Sequence, residues 1–302
     1  MPPPALIVHG GAWDIPDPRV AASRAGALAA LEVGWALLAE GGSALDAVCA
    51  AVVALEDNPI FNAGIGASLN AAGQIELDAS IMVGEGYRAG AVAAIRDVRN
   101  PILVARRVME TTQHVLLAGE GACAFAAAEG FDPLPAGALE ISEQRSQLRA
   151  IEGRDSYHAS EPFRPLDGPG DTVGAAAVDR GGQVVAATST GGVPAKMPGR
   201  VGDSPLIGAG TWAAPEGGVS CTGWGEAIIR TAMAYRAGAA LEAGAAAEVA
   251  AQQAVAALER IPKGRAGLIL VDRHGRVAHA FNTPRMAWAS RTSDGATGSG
   301  PE

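Results

Sequence analysis

The residues best suited to chemistry in this chain are threonines at the ends of one glycine-bounded segment. From Gly168 to Gly192 it reads G-P-G-D-T-V-G-A-A-A-V-D-R-G-G-Q-V-V-A-A-T-S-T-G-G. A Thr hydroxyl is a weak nucleophile until a base sits beside it, and one available base is the residue's own free α-amine. Thr172, being internal, has no free amine. If its Oγ attacks the Asp171 carbonyl and the Asp171–Thr172 bond breaks, amine and hydroxyl come to lie on one residue. An α-amino pKa of roughly 7.7–8.0 suits proton transfer near neutral pH. Read alone, D-T-V-G is more simply the ordinary start of a strand, which Thr favours.

The elements around Thr172 must bring it a second hydroxyl. The apolar runs 173–179 and 183–188 flank Arg180-Gly181-Gly182 and read as the buried strands of a hairpin. A three-residue loop with Gly in the left-handed position is a common connection. With 180–182 as that loop, Asp179 faces Gln183 and Thr172 faces Thr190, on one side of the sheet with Cβ atoms about 5 Å apart. A loop of two or four residues slips the register by one and sends Thr190 to the other face from Thr172. Upstream, 154–171 is polar and rich in Pro and Gly, an exposed mobile linker.

Other residues offer complementary chemistry. Arg200 and Asp203 stand three apart in a Gly- and Pro-bounded loop. A guanidinium grips a carboxylate bidentately, and a carboxylate holds an ammonium, so the pair suits a free amino acid; the plain alternative is a solvated ion pair. Thr222-Gly223 precede a helical stretch, where a hydroxyl and a backbone N–H make a suitable oxyanion hole. The turn-rich segment 55–66 follows a helix ended by Pro59, and its exposed carbonyls could hold a hard cation. Its G-x-G does not continue as a dinucleotide fingerprint, and no P-loop is present. His9, at the end of a short strand beside Gly10, reads as a structural histidine satisfied by backbone.

Six blocks occur in order along the chain. They are H-G-G-A at 9–12, E-D-N-P-I-F-N-A-G-I-G at 56–66, T-S-T-G-G at 188–192, P-G-R-V-G-D-S-P at 198–205, S-C-T-G at 220–223 and F-N-T-P-R-M at 281–286. From about residue 5 to 290 the chain resembles the plant-type asparaginase and isoaspartyl peptidase family of N-terminal-nucleophile hydrolases. The resemblance implies an α+β fold, a four-layer αββα sandwich, forming a single domain over 1–302 that is cut between Asp171 and Thr172 into chains 1–171 and 172–302. It implies Thr172 as nucleophile, Thr190 as the group that orients or polarises it, and Thr222 with Gly223 as the oxyanion site. Arg200 and Asp203 would clamp the α-carboxylate and α-amino group of the substrate, with Asn62 and Gly223 near it. A structural sodium ion is implied at the loop of Leu55, Glu56 and Phe61, with no cofactor for catalysis, and so is pairing into a dimer of αβ heterodimers. The implied reaction releases L-aspartate from L-asparagine and β-aspartyl dipeptides. Trp224 departs from the smaller or polar residue usual there. The Asp-Thr junction also differs from the Gly-Thr of many isoaspartyl peptidases. A glycosylasparaginase, a threonine aspartase-like endoprotease and a non-catalytic small-molecule binding protein are the alternatives.

Composition narrows the classes further. A net charge of −9 disfavours a nucleic-acid partner, which demands a basic patch. With 40 Gly among 302 residues and aromatics at 4%, packing must rely on Ala, Val and Leu with close backbone approach. Cys49, Cys123 and Cys221 are too scattered for a disulfide framework or a zinc site and read as small buried hydrophobes. No apolar run approaches the roughly 20 residues of a membrane span, and no signal peptide is evident, so a cytoplasmic enzyme with a small-molecule substrate is expected.

The coarse elements follow the same punctuation. Strand 5–9 enters a tight turn at Gly10-Gly11; helices cover 19–40 and 44–57, the second opened by a capping-box variant at Ser43. Strands 75–83 and 89–95 pair, helices cover 101–112 and 121–129, and 131–171 lacks any sustained period. A long Ala-rich helical stretch runs from 225 to about 260, a hairpin joins 266–271 to 276–281 with His274 and His279 structural, and the tail from Thr292 should be disordered.

Overall fold

The computed structural model describes residues 3–152 and 172–301, so Asp171 and the linker expected over 154–171 lie outside the described residues. Helices and two sheets make a mixed fold. The larger sheet holds β1 (Ala5–Trp13), β2 (Leu77–Val83), β3 (Arg88–Ile95), β4 (Leu116–Ala118), β5 (Val173–Val178), β6 (Val184–Thr190), β11 (Arg285–Thr292) and β12 (Thr297–Gly300). Their order is β12-β11-β1-β5-β6-β2-β3-β4, with only β3–β4 parallel. The smaller sheet, ordered β10-β9-β8-β7, comprises β7 (Thr211–Ala214), β8 (Gly217–Gly223), β9 (Ala266–Asp272) and β10 (Val277–Phe281).

The hairpin takes the three-residue-loop register. Val173 lies opposite Ser189 and Val178 opposite Val184, and Gly182 supplies the left-handed residue at φ +84. Asp179 locks the turn: Oδ1 accepts the Gln183 N–H at 3.0 Å, and Oδ2 accepts the Ala44 N–H at 2.9 Å. The second bond ties the loop to the start of α2 (Ala44–Glu56). Ser43 caps that helix by accepting the Asp46 N–H, as its sequence predicts.

The two sheets meet through small side chains. Ala176, Ala186 and Ala213 lie fully buried with Ile7, Ile269 and Val271 between them. Close approach leaves no room at Gly174, where a methyl group would strike Ser220 Oγ and His9 Nε2. α1 (Asp17–Ala39) packs on α2 and β11, α2 on β5 and β6, and α3 (Pro101–Thr111) on β2 and β3. After α4 (Gly119–Ala128) and α5 (Ser142–Glu152) come α6 (Gly225–Thr231), α7 (Met233–Glu242) and α8 (Ala247–Ala256). α7 packs on β8, and α8 on β9 and β10.

Several expectations are corrected. β1 does not turn at Gly10-Gly11 but runs on to Trp13, shifting register against β11 between His9 and Ala12 with Gly11 at φ +106. The stretch 131–171 contains α5, whose buried face includes Gln144, Gln147, Leu148 and Ile151. The single long helix over 225–260 is broken at Ala232, φ +47, and again after α7 by Gly244, φ +88. The tail is ordered: Thr297 pairs with Arg291 and Gly300 with Trp288 at the sheet edge. α1, 23 residues long, does reach the length and composition of a membrane span. It packs as a core helix, burying Gly26, Ala27, Ala30, Leu31, Gly34 and Leu38, while exposed Arg24 and Glu32 bond Ser299 and Arg291.

Candidate active site

The hairpin places Thr172 and Thr190 side by side at its root, both almost fully buried. Thr172 Oγ1 donates to Thr190 Oγ1 at 3.0 Å, and the Gly192 N–H donates to the same oxygen at 2.9 Å. If Thr172 loses its proton, reversal of the first bond turns the Thr190 O–H toward the charged oxygen. From the facing sheet, Thr222 Oγ1 donates to the Thr172 carbonyl at 3.5 Å and accepts the Ala12 N–H at 3.3 Å. The irregularity in β1 aims that N–H. Gly223, at φ +133, is pressed against Ala266 and Arg265 so closely that a side chain has no space. Trp224 follows, buried, with its backbone N–H on the Arg265 carbonyl at 2.8 Å and the Arg230 guanidinium 5.7 Å from its ring centre.

Arg200 and Asp203 converge on the same region. A methyl group on Gly225 would lie 2.9 Å from both Arg200 Nη2 and Asp203 Oδ1, and one on Gly192 would lie 3.3 Å from Arg200 Nη1. Glycine at these positions clears the space the two charged groups occupy. Asn62 acts on the backbone: its Nδ2 donates to the Gly192 carbonyl at 2.6 Å and its Oδ1 accepts the Ser68 N–H at 2.7 Å.

One partner escapes sequence spacing. Glu226 takes the Arg200 fork bidentately, Nε to Oε1 and Nη2 to Oε2, each at 3.0 Å. Burial pushes its carboxyl up, but the Arg200 bonds outweigh burial and hold it below the ordinary carboxylate value. The available signal was an acidic residue in the first turn of the helix that follows Thr222-Gly223. Glu76, Asp78 and Lys196, all buried next to this loop, were not singled out either.

His9 lies beneath the threonines with Nε2 2.9 Å from Ser220 Oγ. Burial drives its pKa down to about 3, against a smaller upward pull from the Thr172 backbone. A line of buried hydroxyls continues from it. Ser220 Oγ lies 2.7 Å from Thr188 Oγ1, Thr211 Oγ1 donates to Thr188 at 2.6 Å, and Ser80 Oγ bonds Thr211 Oγ1 at 2.7 Å and the Ser204 carbonyl at 2.6 Å. The hydroxyls in this line pair with one another across the seam. His279 stacks on Trp288 with ring centres 3.9 Å apart.

The loop after α2 offers main-chain oxygens. The Phe61 and Pro59 carbonyls converge on Gly66, 2.5 and 2.9 Å from where a methyl would sit. Donors of this kind suit a hard monovalent or divalent cation. Glu56 Oε1 accepts the Ile102 N–H at 3.1 Å and the Ser189 hydroxyl at 2.6 Å. Burial pushes that carboxyl up to about 8. Among the described residues no cluster of three His, Cys, Asp or Glu side chains could hold a metal.

A family model described as asparaginase matches residues 2–299. The chain belongs to the asparaginase family. Among its relatives, a plant-type L-asparaginase of Pyrococcus horikoshii is 47% identical, covering 94% of this chain and 95% of the relative. An isoaspartyl peptidase/L-asparaginase of Homo sapiens is 42% identical over 95% of this chain and 92% of the relative. One of Bos taurus is 42% identical over 98% and 96%. All six sequence blocks fall inside the span matched to the asparaginase family.

Proposed function

We propose that this chain is a self-processing amidohydrolase that releases L-aspartate from L-asparagine and β-aspartyl dipeptides. The relatives named isoaspartyl peptidase/L-asparaginase support the substrate class. The observation that carries the mechanism is the Thr172 Oγ1–Thr190 Oγ1 bond at the root of a buried hairpin, beside the Arg200 guanidinium and the Asp203 carboxylate. In processing, Thr172 Oγ attacks the Asp171 carbonyl carbon and the C–N bond breaks. The amide nitrogen takes a proton to become the α-amine, and water then hydrolyses the ester to free Oγ. In turnover, the α-amine takes the Oγ proton as Oγ attacks the side-chain amide of the substrate. The proton passes to the leaving nitrogen, ammonia or amine departs, and water releases aspartate from the acyl-enzyme. Thr222 and Gly223 hold the oxyanion, while Arg200 and Asp203 clamp the α-carboxylate and α-ammonium.

The same reading takes 1–302 as one domain cut into 1–171 and 172–302, with 154–171 as the linker. Helix packing on each sheet supports a four-layer αββα sandwich, and a dimer of αβ heterodimers is part of the proposal. A sodium ion on the carbonyls of Leu55, Glu56 and Phe61 would brace the loop carrying Asn62 and, through it, Gly192. A substrate panel of asparagine, β-Asp-Leu and a glycosylated asparagine separates this reading from a glycosylasparaginase. On a denaturing gel the wild type should give two bands in place of one at 30.3 kDa, the smaller beginning Thr-Val-Gly. Thr172→Ala should leave one band without activity. An intact single chain that hydrolyses β-aspartyl dipeptides would refute the mechanism.

A further inference from the structure

The loop that carries Arg200 and Asp203 is pinned to the entry of β2 by three buried charged residues. The Glu76 carboxylate accepts the Gly199 N–H with both oxygens at 3.1 Å. Asp78 accepts the Gly202 N–H at 3.3 Å and, from β3, the Ala94 N–H at 2.8 Å. Lys196 Nζ donates to the Glu76 carbonyl at 2.8 Å. Lys196 and Asp78 are 3% and 0% exposed. A buried ammonium is costly unless compensated. Here Asp78 and Glu76 offset burial electrostatically, whereas the Arg200 charge opposes the Lys196 charge.

What that ammonium touches gives it a purpose. A methyl on Gly192 would lie 3.0 and 3.1 Å from Lys196 Cδ and Nζ, and 3.3 Å from Arg200 Nη1. Two like charges thus flank one α-carbon, and their repulsion restricts where the guanidinium can point. Gly192 is also the residue whose N–H fixes Thr190 Oγ1, and through it Thr172 Oγ1. The threonine pair and the guanidinium are therefore spaced across a single residue. Asp78 reinforces this from the adjacent strand, where it lies directly opposite Thr190.

We propose that Lys196, with Glu76 and Asp78, is a positioning residue that sets the distance between Thr172 Oγ1 and the Arg200 guanidinium, and so selects a β-amide over the γ-amide one methylene longer. The inference rests on the amidohydrolase reading above. A one-methylene mismatch is typically worth roughly 10–200-fold in kcat/KM, which is the range a rigid spacing can supply.

The test compares wild type, Lys196→Met and Glu76→Gln, measuring kcat and KM for L-asparagine and L-glutamine and the rate at which the two chains appear. Processing breaks the Asp171–Thr172 bond without a free amino acid in the clamp, so it reports general damage. For Lys196→Met the expected result is a KM for asparagine raised about tenfold, an asparagine-over-glutamine preference reduced at least about fivefold, and processing at the wild-type rate. An unchanged preference overturns the inference, as does an equal fall in both substrates and in processing. If Lys196→Met does not accumulate in soluble form, Glu76→Gln decides by the same criteria. A wild type that turns over asparagine beside an unaltered variant refutes the spacing role alone. A wild type with no asparagine turnover refutes the underlying reading and this role with it.

Discussion

At the residue scale, Thr190 is the side chain with the most demands on it. Its oxygen accepts from both Thr172 and Gly192, so Thr190→Val removes two acceptor contacts and a hydroxyl able to face a charged Thr172 oxygen. The expected outcome in steady-state kinetics is a kcat lower by roughly 10²–10³, with KM for asparagine changed by less than about threefold. The threonine pairing was readable because a hairpin loop converts sequence distance into register. The Arg200–Asp203 pair was readable because its members are three apart. Glu226, which occupies the Arg200 fork, is 26 positions away and enters only through the return of β8 into α6. Lys196 and Asp78 were invisible for a different reason: nothing local distinguishes a charge that will be buried from one that will be solvated.

At the scale of elements, success and failure divide by how far local chemistry controlled the outcome. Ser43 and Asp46 begin α2 through a local cap, and Gly182 sets the hairpin turn. α5 was missed because Gln144 and Gln147 occupy its buried face and interrupt the apolar period. Gln144 is held there by donating to the Ala67 carbonyl. Ala232 breaks the Ala-rich stretch in a left-handed conformation without a Gly or Pro to announce it. β12 is built from Thr-Gly-Ser-Gly, poor strand formers that order only because β11 offers an open edge. Stopping the chain after Gly295 removes β12 and uncovers Trp288, against which Gly298 and Gly300 pack. Differential scanning calorimetry is expected to find a Tm lower by roughly 2–6 °C, with the two-band pattern preserved because the threonine site lies at the other side of β1.

At the scale of the whole molecule, the buried seam couples acidity to stability. Burial holds the His9 ring neutral, its pKa near about 3 rather than the ordinary 6.5. Below pH 6.5 the unfolded chain binds a proton that the folded chain refuses. The stabilisation is complete above about pH 6.5 and is lost as pH falls toward 3, with a slope of up to about 1.4 kcal/mol per pH unit. Urea melts of His9→Gln are expected to be flatter than wild type between pH 6 and 4, even where the variant is less stable overall. A last consequence comes from the strand order of the larger sheet. β1, β2, β3 and β4 precede residue 172, while β5, β6, β11 and β12 follow it, and the two sets interleave across the sheet in blocks, β12-β11, β1, β5-β6 and β2-β3-β4. A backbone opened at Thr172 leaves halves laced together like clasped fingers, each supplying partners the other lacks. The proposed cut would therefore have to follow assembly, and neither half would keep its shape once the other was drawn away.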